Sequence, residues 1–234
     1  MIIDFHSHIL PGIDDGSAHV AQSIKMLHME AEQGITHVVA TPHFYARHNT
    51  PEAFLHQRDK AEAALREEMA KHSGLPQIHI GAEVSFFRGM ADSEMLEQLV
   101  IRGTNYILVE MPMPPWDEAY YRELAAIWEK RKLTPIIAHI DRYIGPFRTR
   151  GIPQRLAALP VLVQANADFF RELGTASMAL RMLRQGQIHL LGSDCHNTRS
   201  RKPNLGDAIQ RIARKLGQEP LDRIREYGQT VLDV

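Results

Sequence analysis

With one cysteine, Cys195, in 234 residues, the chain has no partner for an internal disulfide. It also lacks an excess of charge of either sign: 27 basic side chains stand against 28 acidic ones, a net charge of −1. That balance gives no broad attraction to nucleic acid or to an anionic membrane, so any phosphate recognition has to be local. There is no run of about 18 uncharged apolar residues, and so no candidate helical membrane span and no expectation of membrane insertion. The opening Met1-Ile2-Ile3-Asp4-Phe5-His6-Ser7-His8 has neither the basic start nor the apolar run of a secretion signal, which makes a cytoplasmic location the expectation. Aromatic residues are sparse at 7%, but hydrophobic residues reach 44%, enough for a full core. A single domain over residues 1–234 is expected, since α/β barrels commonly reach this length as one unit.

Short apolar runs recur along the chain, at residues 2–5, 37–40, 77–80, 106–109, 135–138, 161–164 and 189–191. Each is bounded by glycine, proline or polar residues and reads as a buried strand. Between them, residues 21–33, 51–71, 93–102, 118–132 and 177–185 have helical spacing, and residues 203–234 read as two helices parted at 217–220. Gly34, Gly74, Gly103 and Gly186 fall where helix ends call for a left-handed residue. Alternating strands and helices favour a parallel sheet, and seven strand segments favour a (β/α) barrel over an open sheet.

The chemistry is written at the ends of those segments. Residues 2–5 run into His6-Ser7-His8, 38–40 into Thr41-Pro42-His43, and 78–80 into Gly81-Ala82-Glu83. Later segments run into Glu110, His139 and Ser193-Asp194-Cys195-His196. In a parallel α/β barrel such ends converge on one mouth. His6 and His8, two apart, face one side of an extended strand, and Asp194 and His196 repeat that spacing. Asp15 follows in the loop Pro11-Gly12-Ile13-Asp14-Asp15-Gly16, where a glycine-rich turn folds a carboxylate back over the mouth. Buried carboxylates at Glu83, Glu110 and Asp194 each need a cation or a hydrogen-bond donor. The donors exceed what one tetrahedral ion needs, so two or three divalent metals are expected. Imidazole and carboxylate without thiolate suits manganese, iron, zinc or cobalt better than magnesium or calcium alone. Asp4, two residues before His6, is expected to orient a ligand rather than to be one.

Taken together, His6-Ser7-His8, Asp14-Asp15-Gly16, Thr41-Pro42-His43, Gly81-Ala82-Glu83, Glu110, Ala138-His139-Ile140-Asp141-Arg142 and Ser193-Asp194-Cys195-His196 resemble the polymerase and histidinol phosphatase (PHP) superfamily. Within it, the opening His6-to-Gly16 stretch is similar to the CpsB/YwqE-type manganese-dependent protein-tyrosine phosphatases of capsule and exopolysaccharide clusters. The resemblance spans residues 1 to about 205 and implies a distorted seven-stranded barrel with a three-metal centre. It assigns one metal to His6, His8, Glu83 and Asp194, a second to Glu83, Glu110 and His139, and a third to Asp15, His43 and His196. Arg142 and Arg201 match the family's phosphate-binding arginines. The implied substrate is a phosphotyrosyl protein such as a bacterial tyrosine kinase, attacked at phosphorus by a metal-bridging hydroxide. Two departures stand out: Asp141 replaces the glutamate of the usual His-Ile-Glu-Arg, and Met111-Pro112 follows Glu110.

Rival readings are another PHP phosphoesterase acting on histidinol phosphate, sugar phosphates or nucleotides, a metal-dependent amidohydrolase, or a non-catalytic interaction module. Cys195 and Arg201 also match the Cys-x5-Arg spacing of thiol phosphatases, but the intervening residues hold no glycine to wrap a phosphate, and Asp194 opposes a thiolate. Phe44, Tyr45, Trp116, Tyr120, Tyr121 and Phe147 lie near strand-end loops, where some could stack on an aryl ring.

Overall fold

The structure, a computed structural model, describes residues 1–144 and 151–234; Phe147 lies outside the described residues. Strands β1 (Ile3–Ser7), β2 (His37–Ala40), β3 (His43–Phe44), β4 (Gln77–Ile80), β5 (Glu83–Ser85), β6 (Tyr106–Glu110), β7 (Thr134–Ile137), β8 (Leu162–Asn166) and β9 (Leu190–Gly192) all pair in parallel. They alternate with helices α1 (Val20–Glu32), α2 (Pro51–Met69), α3 (Leu96–Leu99), α4 (Glu118–Arg131), α5 (Ile152–Leu156), α6 (Ala167–Arg171), α7 (Ala176–Arg184), α8 (Leu205–Leu216) and α9 (Glu219–Leu232). This is an α/β fold with a curled parallel sheet. Parallel strands covered on both faces read as near-continuous apolar runs, which is why the strand segments are visible in the sequence.

One sheet has the order β1-β2-β4 and the other β3-β5-β6-β7-β8-β9. The transfer between them occurs at two kinks. After β2 the chain meets Pro42, which has no amide to donate, and resumes as β3 against β5 instead. After β4 it turns at Gly81-Ala82 and resumes as β5, where the Glu83 amide donates to the Pro42 carbonyl at 3.0 Å. His43 and Glu83, read from sequence as residues just past two strands, therefore open two further short strands. At the far side, the Asp194 amide donates to the His6 carbonyl at 2.7 Å and the His8 amide to the Cys195 carbonyl at 2.9 Å. The chain's first strand thus lies beside the segment that follows its last.

The expected helix at 93–102 is reduced to the single turn of α3, and α5 and α6 are additional. Gly34, Gly74, Gly103 and Gly186 do take left-handed backbone, with φ between +69° and +84°. Within the strands, Ile3, Phe5, Val39, Leu108, Ile136 and Leu190 pack with Val231 and Leu232 of α9. Each fully buried side chain of this size contributes about 1.5–3 kcal/mol. Helix α9 comes this close to β1 because of Gly228, where a Cβ would lie 2.9 Å from Ile3 Cδ1. A larger apolar cluster fills the space between strands and outer helices.

Candidate metal centre

The structure brings His6, His8, Asp15, His43, Glu83, Glu110, His139, Asp194 and His196 to one place, and Glu83 is its hub. Glu83 Oε2 lies 3.2 Å from His6 Nε2, 3.4 Å from His8 Nε2 and 2.9 Å from His43 Nδ1, while Oε1 lies 2.8 Å from His139 Nε2. Asp194 Oδ1 sits 3.6 Å from His6 Nε2 and 3.5 Å from His8 Nε2. Asp15 Oδ1 reaches the Nε2 atoms of both His43 and His196 at 3.4 Å. Glu110 stands at the edge, 3.7 Å from His139 Nε2. Most of these side chains are buried; Asp15, on its loop, is exposed.

Their electrostatics follow from that crowding. Burial pushes the Glu83 carboxyl up, but His6, His139 and His43 override it and hold it well below the usual range. Burial works on Asp194 in the same sense, and His6 and His8 again hold it low. Glu110, with fewer imidazoles close by, is raised by burial and by the charge of Glu83. His196 is lowered to about 4 by burial and by neighbouring His8.

These residues fit divalent cations. Glu83 Oε2, His43 Nδ1 and His196 Nε2 are buried without a hydrogen-bond partner, although the first two lie 2.9 Å apart. Ring nitrogens and carboxylate oxygens converging this closely, three of these atoms unpartnered, are what a cation relieves, since unpaired buried groups of this kind are costly. Within this cluster three sets have ligand atoms mutually within 4.8 Å: His6, His8 and Asp194; His8, Asp15, His43 and His196; and His43, Glu83 and Glu110; a fourth such set, Asp4, Glu30 and Cys195, lies behind it. The donor set is imidazole and carboxylate throughout, the chemistry of mid-row transition metals.

Residues behind the cluster aim it. Asp14 accepts from His8 Nδ1 at 2.7 Å, and Gln164 Oε1 lies 3.2 Å from His6 Nδ1 while accepting the His139 amide at 2.6 Å. The carbonyl of Asp194 takes His196 Nδ1 at 3.0 Å. In each case the far ring nitrogen is left facing inward. Sequence reading passed over Gln164 and Asn166; their signal is two amides at spacing two, ending an otherwise apolar strand. Asp4 touches neither imidazole. Its Oδ1 accepts the amides of His6 at 3.0 Å and Ser193 at 2.9 Å, tying β1 to the segment carrying Asp194.

Both arginines arrive at Asp194. Arg142 Nη2 donates to Oδ2 at 2.5 Å, Arg201 Nη2 to Oδ1 at 2.8 Å, and Asn166 Nδ2 adds a bond to Oδ2 at 3.0 Å. Each guanidinium remains about two-fifths exposed (39% and 40%), within reach of a ligand at the rim. Cys195 faces away from them. It is fully buried, its Sγ lies 3.8 Å from Glu30 Oε1, and burial with the charges of Glu30 and Asp4 pushes the thiol well up. A thiolate nucleophile has no support here. Of the aromatic residues, Phe44, Trp116 and Tyr121 are packed into the core, whereas Tyr45 and Tyr120 line a groove beside the cluster.

Known proteins share this arrangement of chain. The tyrosine-protein phosphatase YwqE of Bacillus subtilis (strain 168) is 30% identical over 249 residues, covering 99% of this chain and 91% of that protein. The tyrosine-protein phosphatase CpsB of Streptococcus agalactiae serotype V is 25% identical over 242 residues, covering 99% and 98%. Among solved structures, one described with YwqE and the Streptococcus pneumoniae CpsB as unique metal-dependent tyrosine phosphatases superposes with a TM-score of 0.83 at 23% identity, covering 99% of this chain and 94% of the other. A dihydropyrimidinase from Brevibacillus agri shares the fold more distantly, with a TM-score of 0.53 at 13% identity over 95% of this chain and 67% of the other. The family model for capsular polysaccharide synthesis, CpsB/CapC, matches residues 2–232, and the chain belongs to that family.

Proposed function

We propose that this chain is a metal-dependent protein-tyrosine phosphatase acting in capsule or exopolysaccharide production. The observation that carries the proposal is Glu83, one buried carboxylate among four imidazoles, with both oxygens facing ring nitrogens. The ligand sets are His6, His8, Glu83 and Asp194; Glu83, Glu110 and His139; and Asp15, His43 and His196. Three divalent ions, manganese before iron, zinc or cobalt, suit that donor count and softness. Cations held there supply Lewis acidity, which makes water a competent nucleophile near neutral pH and offsets charge on a phosphoryl group.

The chain's own residues do the rest. Asp14 and Gln164 fix ring orientations at His8 and His6. Arg142 and Arg201 stand at the rim with guanidinium forks suited to phosphate oxygens. A phenolate leaving group, with a parent pKa near 10, needs less acid assistance than an alkoxide, which favours aryl phosphates. The substrate is a phosphotyrosyl protein such as a bacterial tyrosine kinase, met in the cytoplasm; no helix among the described residues is long and apolar enough to cross a membrane. The fold is a single domain in which β2 with β3, and β4 with β5, act as two bent strands, making a distorted seven-stranded barrel. The parallel bridge between Ser7 and Cys195 supports that closure.

Metal analysis joined to assays on phosphotyrosyl peptide, phosphoserine peptide, histidinol phosphate and nucleotides tests the reading. Chelation is expected to abolish turnover, manganese to restore it better than magnesium, and the phosphotyrosyl peptide to be the best substrate. Full activity after verified metal removal overturns the metal mechanism, and a clear preference for another phosphomonoester overturns the substrate.

A further inference from the structure

A groove of about 530 Å3 opens beside the metal centre. Its walls grow out of the ligand-bearing segments: Tyr45 lies two residues beyond His43, Ser85 two beyond Glu83, and Pro112 two beyond Glu110. Two residues of extended chain span about 7 Å, so the groove begins within one side-chain length of the cluster. A phosphoryl group alone would be accommodated at the metals. The groove provides for what is attached to it.

The lining has two chemical characters. One is aromatic. The Tyr45 ring stacks on His43 with centroids 5.3 Å apart, and Phe86 and Tyr120 pack at 5.1 Å. The other is cationic. Arg47 and Arg88 face the same space, and no lining residue is acidic. Arg47 has no ion-pair partner among the described residues. Arg88 lies 3.9 Å from Asp117, both well exposed, and its guanidinium sits 5.5 Å over the Tyr120 ring. Such a distant, solvated pair contributes little, so the positive charge of this wall is effectively unspent within the molecule.

We propose that this groove reads the residues flanking a phosphotyrosine, and that its preferred protein substrates carry aspartate or glutamate within a few residues of that tyrosine, met by Arg47 and Arg88. The inference rests on the phosphotyrosine reading above and adds a sequence preference to it. The aromatic wall covers the aryl ring and the backbone beside it, while the arginines supply charge complementarity, which sets specificity more than raw affinity.

The test compares phosphotyrosyl peptides of equal length with acidic, neutral and basic flanks, each assayed on the metal-loaded enzyme with p-nitrophenyl phosphate alongside. In the wild type, kcat/KM for the acidic peptide is expected to exceed that for the neutral one by about 4- to 25-fold at low salt, two exposed charge pairs being worth about 2- to 5-fold each. Arg47→Gln with Arg88→Gln is expected to bring the ratio close to one, and Arg47→Glu with Arg88→Glu to invert it in favour of the basic peptide. Reading the ratio within each protein cancels any change in folding or metal content. Equal rates on all three peptides, or a preference that survives both double variants, overturn the groove assignment. Absence of turnover on p-nitrophenyl phosphate and on every phosphotyrosyl peptide instead overturns the phosphatase reading, which separates the two failures.

Discussion

Asp14 and His8 meet through one hydrogen bond, from Nδ1 of the imidazole to Oδ2 of the carboxylate at 2.7 Å, and that bond decides which nitrogen of His8 faces the metal cluster. The carboxylate is itself held, accepting the amides of Gly16 at 2.9 Å and His43 at 3.0 Å. Burial pushes Asp14 up, but His8 and these amides override it and bring it to about 2, so it stays ionised.

Replacing Asp14→Asn keeps the volume but puts an amide donor where an acceptor is needed, which favours the wrong tautomer of His8. A loss of about 10- to 100-fold in metal affinity is expected, the usual effect of removing such a partner. Titration of the metal-free variant with manganese measures it. An unchanged affinity would show that Asp14 holds only its own loop.

Gly192 ends β9 against His6: a Cβ there would lie 2.6 Å from His6 Cβ and 2.7 Å from Gln164 Nε2. Gly192→Ala therefore overpacks a site with nothing soft to move, at an expected cost of about 1–3 kcal/mol, and displaces a ligand as it does so. Urea unfolding together with metal content checks both effects. Gly174→Ala, with nothing within 4 Å of its added Cβ, is the control and should leave both unchanged.

How legible this site was depended on how odd each residue looked in its place. His6, Glu83 and Asp194 were visible because imidazole and carboxylate are costly at the end of a buried strand. Gln164 was not, because a neutral amide there is ordinary and its role depends on His6, 158 positions away. Strands β3 and β5 were invisible for a different reason. At two and three residues they carry no periodicity, and they exist because Pro42 and Gly81-Ala82 kink the chain into a second sheet. Arg47 and Arg88 stayed hidden because loop arginines are usually solvated charges; the groove gives them meaning.

Metal binding should depend steeply on pH, because the cations compete with protons for the same nitrogens. Burial disfavours the charged form of His8, but the hydrogen bond to Asp14 and the neighbouring Asp194 and Glu83 carboxylates override it and hold its pKa well above the usual value. His6 is raised likewise, Glu83 and Asp194 prevailing over burial. A raised folded pKa stabilises the metal-free protein fully below the unfolded value of about 6.5, and that contribution is lost as pH rises through the folded value. The metal-loaded form gains over the same interval. Going from about pH 6 to about pH 8 is expected to tighten manganese binding by at least about tenfold and to enlarge the metal-induced rise in Tm. Affinity flat across that range would exclude His6 and His8 as ligands.

Arg142 follows His139 by three residues through a tight turn in which its amide donates to the His139 carbonyl at 2.9 Å. The turn places Nη2 2.5 Å from Asp194 Oδ2 and Nη1 3.7 Å from Glu110 Oε1, between two ligands and open to the rim. From there a planar fork can engage two oxygens of a phosphoryl group held at the cluster, whereas an ammonium offers a point charge. Arg142→Lys is expected to lower kcat/KM on a phosphotyrosyl peptide by about 10- to 100-fold, or about 1.4–2.7 kcal/mol of transition-state stabilisation. Arg142→Ala should lose more. Metal content should survive both, because Asp194 keeps Arg201 at 2.8 Å and Asn166 at 3.0 Å to hold its orientation. Steady-state kinetics with metal analysis on the same samples separates the roles: lost activity with metal retained marks a phosphate-binding arginine, and lost metal marks a structural one. Full activity of Arg142→Ala would mean that phosphate is gripped elsewhere on the rim.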